Sequence, residues 1–379
     1  AVGLSGGVDS ALAAALLKEQ GYQVTGVFLE CWNEPGCRTD EDRQDALGVA
    51  LKLKIPFKVL DFKKEYRLKV LDWFYREYKK GRTPNPDIVC NQEIKFGMFL
   101  KWVIKNHFDF VATGHYARMK PVYHSLPATD NFSLPASENY LHTHPANSPL
   151  ANPSFAGLRK LAEKKIVSFH LYRSVDEKKD QTYFLAMLKQ EQLSRVMFPI
   201  GHLLKKQVRL EAKKRGLKVW NKKDSSGICF IGHDLNFREF LKRKIKEHEG
   251  QVMNKKGEII GKHRGFEFYT IGQGYARPLF VIGKDIERNR LIEGKRQDLA
   301  KKEFAVEGWS WIGKITRQGR TLTVRIRHQG RLIPCKIMGK KVKLAKAEYG
   351  IAPGQVAVIY SGLECLGGGF RVRFAFEHA

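Results

Sequence analysis

Six residues near the start of the chain, Ser5-Gly6-Gly7-Val8-Asp9-Ser10, constrain its fold more than any other feature. They lie between a short β-rich run, Ala1 to Leu4, and an alanine- and leucine-rich helical run, Ser10 to Gln20, with Gly21 where a helix C-terminal glycine belongs. A glycine-rich turn from strand to helix offers backbone N–H groups and the positive end of the helix dipole to an anion, so phosphate is the expected occupant. No lysine follows the glycines, so this is not the phosphate loop of ordinary ATPases, and cleavage at the γ-phosphate is not implied. Ser5 and Ser10 can donate hydroxyls, and Asp9 can help hold a magnesium ion beside a pyrophosphate.

The pattern around this turn repeats. Val24 to Leu29 and Phe57 to Leu60 read as strands, and Asp40 to Lys54 as a helix with Ala46, Leu47, Ala50 and Leu53 on one face. The series continues through Phe108 to Thr113, which predicts an α/β domain with a parallel sheet covered by helices. Residues 121–155 interrupt it with six of the 14 prolines and no lysine or arginine, the composition of an inserted loop. His142 and His144 within it lack a carboxylate or cysteine partner and read as loop residues. Beyond about residue 238 short β runs separated by glycines predict a small β-rich domain. The last 75 or so residues alternate strictly: Leu322, Val324 and Ile326 oppose Arg325 and Arg327, and Phe370, Val372, Phe374 and Phe376 oppose Arg371 and Arg373. This predicts a C-terminal antiparallel β-barrel with an arginine-bearing exterior. The expected divisions are 1–237, 238–300 and 301–379.

Lysine and arginine total 67 against 39 acidic residues, a net charge of +28, and a polyanionic partner is the leading explanation. Its phosphates are expected to meet the arginine-bearing strands and the lysine-rich helix near Lys205 to Lys214. Six cysteines in so long a chain suit a reducing compartment rather than a disulfide scaffold. No run of 18 apolar residues and no signal-peptide pattern occurs, so no membrane association is expected. The chain opens at Ala1, so residues before it are expected to be missing. A cytoplasmic location is expected, with a mitochondrial one left open, and the chain is read as a monomer.

Two further segments carry reactive groups. In Gly81-Arg82-Thr83-Pro84-Asn85-Pro86-Asp87-Ile88-Val89-Cys90-Asn91, two prolines stiffen a loop that delivers Asp87 and Cys90 to the mouth of a helix. Asp87 is expected as the N-cap, with Cys90 at the third helical position. A helix N-terminus favours thiolate, whereas the nearby carboxylate opposes it unless protonated. On spacing alone, a capped helix with a buried structural cysteine fits equally well. Asp224-Ser225-Ser226-Gly227-Ile228-Cys229-Phe230-Ile231-Gly232 places a second cysteine in a glycine-bounded, apolar loop.

The first motif resembles the PP-loop of the ATP-pyrophosphatase superfamily, whose members adenylate a substrate and release pyrophosphate. Together, GRTPNPDIVCN, ATGHYAR (112–118), KDQTYF (179–184) and DSSGICFIG closely resemble the tRNA-specific 2-thiouridylase family. The likeness extends through Tyr269-Thr270-Ile271-Gly272-Gln273, Pro353-Gly354-Gln355 and Cys365-Leu366-Gly367-Gly368-Gly369. It implies that Gly3, Leu4, Ser5, Gly6, Gly7, Val8, Asp9 and Ser10 bind ATP with its Mg2+, helped by the backbone at Leu29 and Gly114. It further implies that Asn85, Pro86 and Asp87 touch the target base of a tRNA. Lys179, Asp180, Gln181, His115, Arg327, His328 and Gln355 would add tRNA contacts. In such enzymes the wobble uridine is adenylated on its C2 oxygen and a persulfide provides sulfur. By resemblance Cys229 carries the persulfide, supplied by a sulfur donor or relay protein, Cys90 is the nucleophile, and Asp87 is the acid and base. Cys31, Cys37, Cys335 and Cys365 match no catalytic position.

The family usually carries a basic glycine-rich stretch after the Tyr269–Gln273 segment, where this chain reads Gly274-Tyr275-Ala276-Arg277. Two other readings compete. A PP-loop ligase acting on a small molecule leaves both cysteines and the charge without a purpose. An RNA-binding protein with a relic nucleotide loop leaves Asp87, Cys90 and Cys229 without one.

Overall fold

The structure, a computed structural model, describes residues 1–33, 37–123, 166–224, 230, 236–274, 278–313 and 319–371. Strands β1 (Val2–Gly3), β2 (Gly26–Glu30), β3 (Phe57–Asp61), β4 (Val111–Ala112) and, later in the chain, β7 (Val196–Met197) form a parallel sheet in the order β3-β2-β1-β4-β7. Because β1 is central and its neighbours β2 and β4 are reached by opposite crossovers, a crevice opens at the carboxyl ends of β1 and β4. Helix α1 (Val8–Glu19) follows β1, and α2 (Thr39–Leu53) follows β2. The alanines of α1 let it pack closely on several sides, and Leu12, Ala13 and Ala14 are fully buried. Gly21 ends it in the left-handed conformation, at φ 86°.

A meandering helical segment, Lys63–Tyr66, Arg67–Leu71 and Asp72–Lys79, leads into the proline-rich loop. A second, Pro86–Val89, Cys90–Met98 and Phe99–Lys105, leaves it. The middle part of each is wound as a π-helix, whose wider turn displaces side chains from α-helical register. Gln192 Nε2 donates to Phe96 O at 2.7 Å, so a side chain satisfies a carbonyl of the second stretch.

Two strands depart from the sequence reading. β5 (Ala117–Tyr123) and β6 (Ile166–Arg173) pair as an antiparallel hairpin, with Pro121 opposite Phe169. Residues 121–123 are therefore strand rather than the start of the inserted loop; Pro121 is tolerated because β5 lies at the edge of its sheet. Residues 124–165, with His142 and His144, lie outside the described residues.

The central region forms a four-stranded sheet, ordered β10-β11-β8-β9, from β8 (Gly250–Met253), β9 (Ile259–His263), β10 (Phe280–Asp285) and β11 (Arg290–Gly294). The C-terminal region closes as an antiparallel barrel: β12 (Lys301–Trp311), β13 (Thr323–Arg325), β14 (Ile333–Met338), β15 (Lys341–Glu348), β16 (Val356–Ser361) and β17 (Glu364–Arg371), with β12 pairing both β15 and β17. The hairpin attaches to β17 through β6, so the N-terminal region contributes strands to the barrel's sheet. β16 shows what this does to the core. Ala357 and Ile359 fill the barrel, while Val356, Val358 and Tyr360 face the other way into a core shared with Leu171, Tyr183 and Leu185. A strand buried on both faces reads as a continuous apolar run, as this one does.

Two of the arginines expected on the exterior are buried instead. Arg325 is only 5% exposed and Arg371 only 2%. Arg325 does point out of the barrel, but into the junction, where its Nη1 lies 2.7 Å from Asp180 Oδ2. Arg371 donates to Ile326 O at 2.8 Å and to Gln355 O at 3.3 Å. Arg327 alone of these three is exposed; Arg373 lies outside the described residues.

Candidate active site

The glycine turn closes the amino end of α1 over the crevice. Gly7 is its N-cap, with no side chain capping the first turn, which leaves the leading N–H groups directed at the crevice. Ser10 Oγ donates to Gly7 O at 3.1 Å and lies 3.2 Å from Ser5 Oγ, so the two hydroxyls brace the turn. Gly6 has φ 72°, and a Cβ there would lie 2.3 Å from Asp42 O. Gly114, which follows β4, abuts the start of α1: a Cβ there would stand 2.5 Å from Ser10 N. Gly3 ends β1 and Leu4 follows it, Val8 is buried, and Leu29 lies on the adjacent β2. These residues lie at or just beyond the carboxyl ends of β1, β2 and β4 and at the start of α1.

Asp9 is already matched with cations and donors. Lys205 Nζ lies 2.8 Å from both its carboxylate oxygens, and the Tyr116 hydroxyl donates to Oδ1 at 2.8 Å. Burial, then the Asp9 charge, holds the Tyr116 phenol far above its ordinary pKa, so it remains a donor. Lys205 also reaches Asp224 at 2.9 Å, and Asp224 is gripped by Lys179 at 2.7 Å and Arg209 at 2.6 Å. Burial pushes the Asp224 pKa up, but Lys179 and Lys205 outweigh it and bring it down to about 2. Lys205 therefore does not offer its charge to a distant RNA phosphate, as expected for its helix; Lys206, Lys213 and Lys214 remain exposed. Lys205 and Asp224 were not read as site residues. Their only sequence trace is the lysine-rich helix and the aspartate opening the Cys229 segment.

On the other side of the crevice, the N-cap of Pro86–Val89 is Asn85, not Asp87: its Oδ1 accepts from Asp87 N at 3.1 Å, and Pro86 takes the first helical position. The Asp87 carboxyl is thereby released from capping. Burial raises its pKa and Lys95 opposes the rise. Cys90 is buried and opens the π-helical stretch. Lys95, one turn farther along, acts on both Asp87 and His115. His115 is buried between Phe96 and Phe198, its Nδ1 2.8 Å from Thr113 Oγ1, and burial first, then Lys95, keeps it neutral. Through Lys95 and residues 113–116, the two sides meet. Lys95 carried no signal in a straight α-helical reading. Cys229 lies outside the described residues.

The remaining expected tRNA contacts separate. Asp180 is a correction: its side chain is fully buried and paired with Arg325, Arg173 and Thr182, leaving no surface for RNA. Gln181 accepts from Tyr116 N at 2.9 Å. The His328 ring packs tilted against Phe184, with centroids 4.2 Å apart, and burial, then Arg325, lowers its pKa to about 4. Gln355 donates to Thr83 O at 2.8 Å. Among the bystander thiols, burial lifts Cys335 to about 12 and Cys365 higher still.

Comparison with known proteins decides the family. A model described as tRNA methyl transferase HUP domain matches residues 1–142 and 147–233, its PRC-barrel domain 238–295, and an aminomethyltransferase β-barrel domain 301–370. The tRNA-specific 2-thiouridylase MnmA of Pediococcus pentosaceus is 38% identical, across 97% of this chain and 93% of that protein. Those of Levilactobacillus brevis (39%; 97% and 93%) and Nitrosomonas eutropha (38%; 97% and 96%) agree. The chain belongs to the tRNA-specific 2-thiouridylase family. Among solved structures, a U34-tRNA thiolase from Methanococcus maripaludis overlaps 60% of each chain at 22% identity and a TM-score of 0.33, which carries no argument. Among the described residues, no helix is long and apolar enough to cross a membrane.

Proposed function

We propose that the protein uses ATP to replace the C2 oxygen of the wobble uridine of tRNA with sulfur. The observation that carries this reading is the meeting, in one crevice, of an uncapped α1 N-terminus suited to phosphate and a buried Cys90 beside an Asp87 carboxyl of raised pKa. Methyl transfer, the activity in the family model's description, requires neither.

The uridine C2 oxygen attacks the α-phosphorus of ATP, and pyrophosphate leaves along the amino end of α1, with Lys205 facing its charge. The terminal sulfur of a Cys229 persulfide adds at C2 and AMP departs. Cys90 gives its proton to Asp87 and attacks Cys229 Sγ. The S–S bond breaks, its electron pair stays with the sulfur on C2, and a Cys90–Cys229 disulfide remains for a thiol reductant to reopen. Asp9 would hold Mg2+ only by exchanging Lys205 for it, and Lys205 then turns toward Asp224 or phosphate; the donor set fits either cation. The domain limits 1–237, 238–300 and 301–379 are part of the same reading.

Nucleoside mass spectrometry of tRNA incubated with the protein, ATP and a persulfide donor tests the function; 2-thiouridine is expected, and its absence overturns the reading. Cys90→Ser should lower thiolation by about 10³-fold or more while Cys229 still gains one sulfur atom by intact mass. Cys229→Ser should gain none, and full thiolation by it would remove Cys229 from the mechanism.

A further inference from the structure

Resting on that function, we infer that Gln355 of the barrel and Lys284 of the central region are positioning residues, which hold the Gly81–Asp87 loop so that Asp87 and Cys90 meet the substrate. Its own region holds the loop only at its start, where Gly81 N donates to Tyr78 O at 2.8 Å, Arg82 N donates to Glu77 O at 3.0 Å, and Arg82 Nη1 lies 2.9 Å from Glu77 Oε2. The other attachments come from far along the chain. Lys284 Nζ donates to Gly81 O at 3.1 Å. Thr83 N donates to Pro353 O at 2.8 Å, and Gln355 Nε2 donates to Thr83 O at 2.8 Å, so both polar groups of the Thr83 backbone are taken by one turn of the barrel.

The fit is tight on both flanks. Gly81 has φ 70°, and a Cβ on it would meet Ile286 Cδ1 at 2.7 Å. Gly354 has φ 92°, and a Cβ there would stand 2.9 Å from Thr83 N. Gln355 is itself oriented: the Tyr183 hydroxyl reaches its Oε1 at 3.5 Å and donates to Val356 O at 2.9 Å. From Thr83 the chain runs through Pro84, Asn85 and Pro86 to Asp87, and each proline fixes its φ, so a displacement at Thr83 passes to the carboxyl with little damping. Placement errors near 1 Å cost about 10²-fold in a reaction that depends on orientation. Gln355 thus directs its amide to the loop, and Lys284 directs its amino group there too.

The test compares Gln355→Ala, Lys284→Met and Lys284→Arg in the full chain. Each is assayed for tRNA affinity, single-turnover thiolation under saturating tRNA, and the iodoacetamide alkylation rate of Cys90 without tRNA, read by peptide mass spectrometry. Gln355→Ala and Lys284→Met should thiolate about 10- to 100-fold more slowly with tRNA affinity within about twofold. Both should change the Cys90 alkylation rate, and Lys284→Arg, which keeps a donor, should recover most of the rate. Weakened tRNA affinity with an unchanged saturated rate would make Gln355 a plain RNA contact and overturn the inference. So would wild-type behaviour of Lys284→Met, or failure of Lys284→Arg to differ from Lys284→Met. If the wild-type protein itself does not thiolate tRNA, the function fails, and the alkylation rates still report whether the loop is held as described.

Discussion

The nucleotide side of the crevice and the Asp87–Cys90 side are held by opposite means. Around Asp9 the forces are charges at short range within one α/β unit: Lys205 bridges two carboxylates, and Asp224 has three cations. Around Asp87, among the described residues, Lys95 is the charge that acts on the carboxyl; burial raises its pKa, and hydrogen bonds from two later regions hold the loop that carries it. A redundant charge network tolerates the loss of one member, because the survivors and water compensate. A loop held by single bonds in a desolvated place does not, since each lost partner leaves a polar group unsatisfied or a reacting atom misplaced.

The contrast is sharpest at the two buried or clamped aspartates. Asp180→Ala should destabilise the protein by about 3–5 kcal/mol, because Arg325 and Arg173 are left charged in the junction core. Asp224→Ala, partly exposed, should cost within about 1 kcal/mol in the same denaturant titration. Equal losses would show that the two networks are alike.

Next in size is the salt dependence of tRNA binding. With Arg325, Arg371 and Lys205 occupied internally, the phosphate contacts fall to exposed cations such as Lys206, Lys213, Lys214 and Arg327. If about five phosphates are engaged, the log–log slope should be roughly −4 to −5, and a slope near zero would remove tRNA as the partner. Neutralising Lys213 and Lys214 together should reduce its magnitude by about 2, whereas Arg325→Met should leave the slope alone and lower stability instead.

A smaller effect is expected at Lys205. Its replacement by methionine should weaken ATP binding by about 10- to 100-fold, as loss of a charged hydrogen bond does, with tRNA affinity unchanged. Calorimetric titration with a non-hydrolysable ATP analogue reads this; unchanged ATP affinity would place Lys205 outside the nucleotide site.

The smallest effect is on pH dependence. Burial raises the Asp87 pKa and Lys95 opposes it, so removing Lys95 raises it further. If Asp87 takes the Cys90 proton as its carboxylate, the rate falls as pH drops through that pKa, and Lys95→Met should move the acid limb upward by up to about one unit. A limb that stays in place, or moves down, would show that Lys95 does not act on Asp87.

Much of the site was legible before the fold was known. The strand-to-helix turn at Ser5–Ser10 is a local device, because glycines, a serine pair and a helix start suffice to make an anion cradle wherever they occur. Periodicity likewise gave α1, α2 and the C-terminal strands, since alternation of period 2 or 3.6 records which face is buried. Periodicity failed where burial has a second cause. Arg325 alternates with Val324 and Ile326 as a surface arginine would, yet its outward face meets Asp180 from another region. The hairpin β5–β6 hid in a proline-bearing run, because an edge strand need not donate from every residue.

By itself, then, the sequence determined the α/β frame, the phosphate-binding turn, the presence of Asp87 and Cys90 on a stiffened loop, and the family. Tertiary structure alone decided the state and placement of those groups. Asn85, not Asp87, caps the helix; Lys205 and Asp224 close on the turn from about 200 residues away; and Lys284 and Gln355 hold the loop from two other regions. The physical reason is one of range. Capping preferences and glycine conformations act over a few residues and are written in the local pattern, whereas an ion pair, a desolvated carboxyl or a hydrogen bond to a distant carbonyl exists only once folding has brought its partners together.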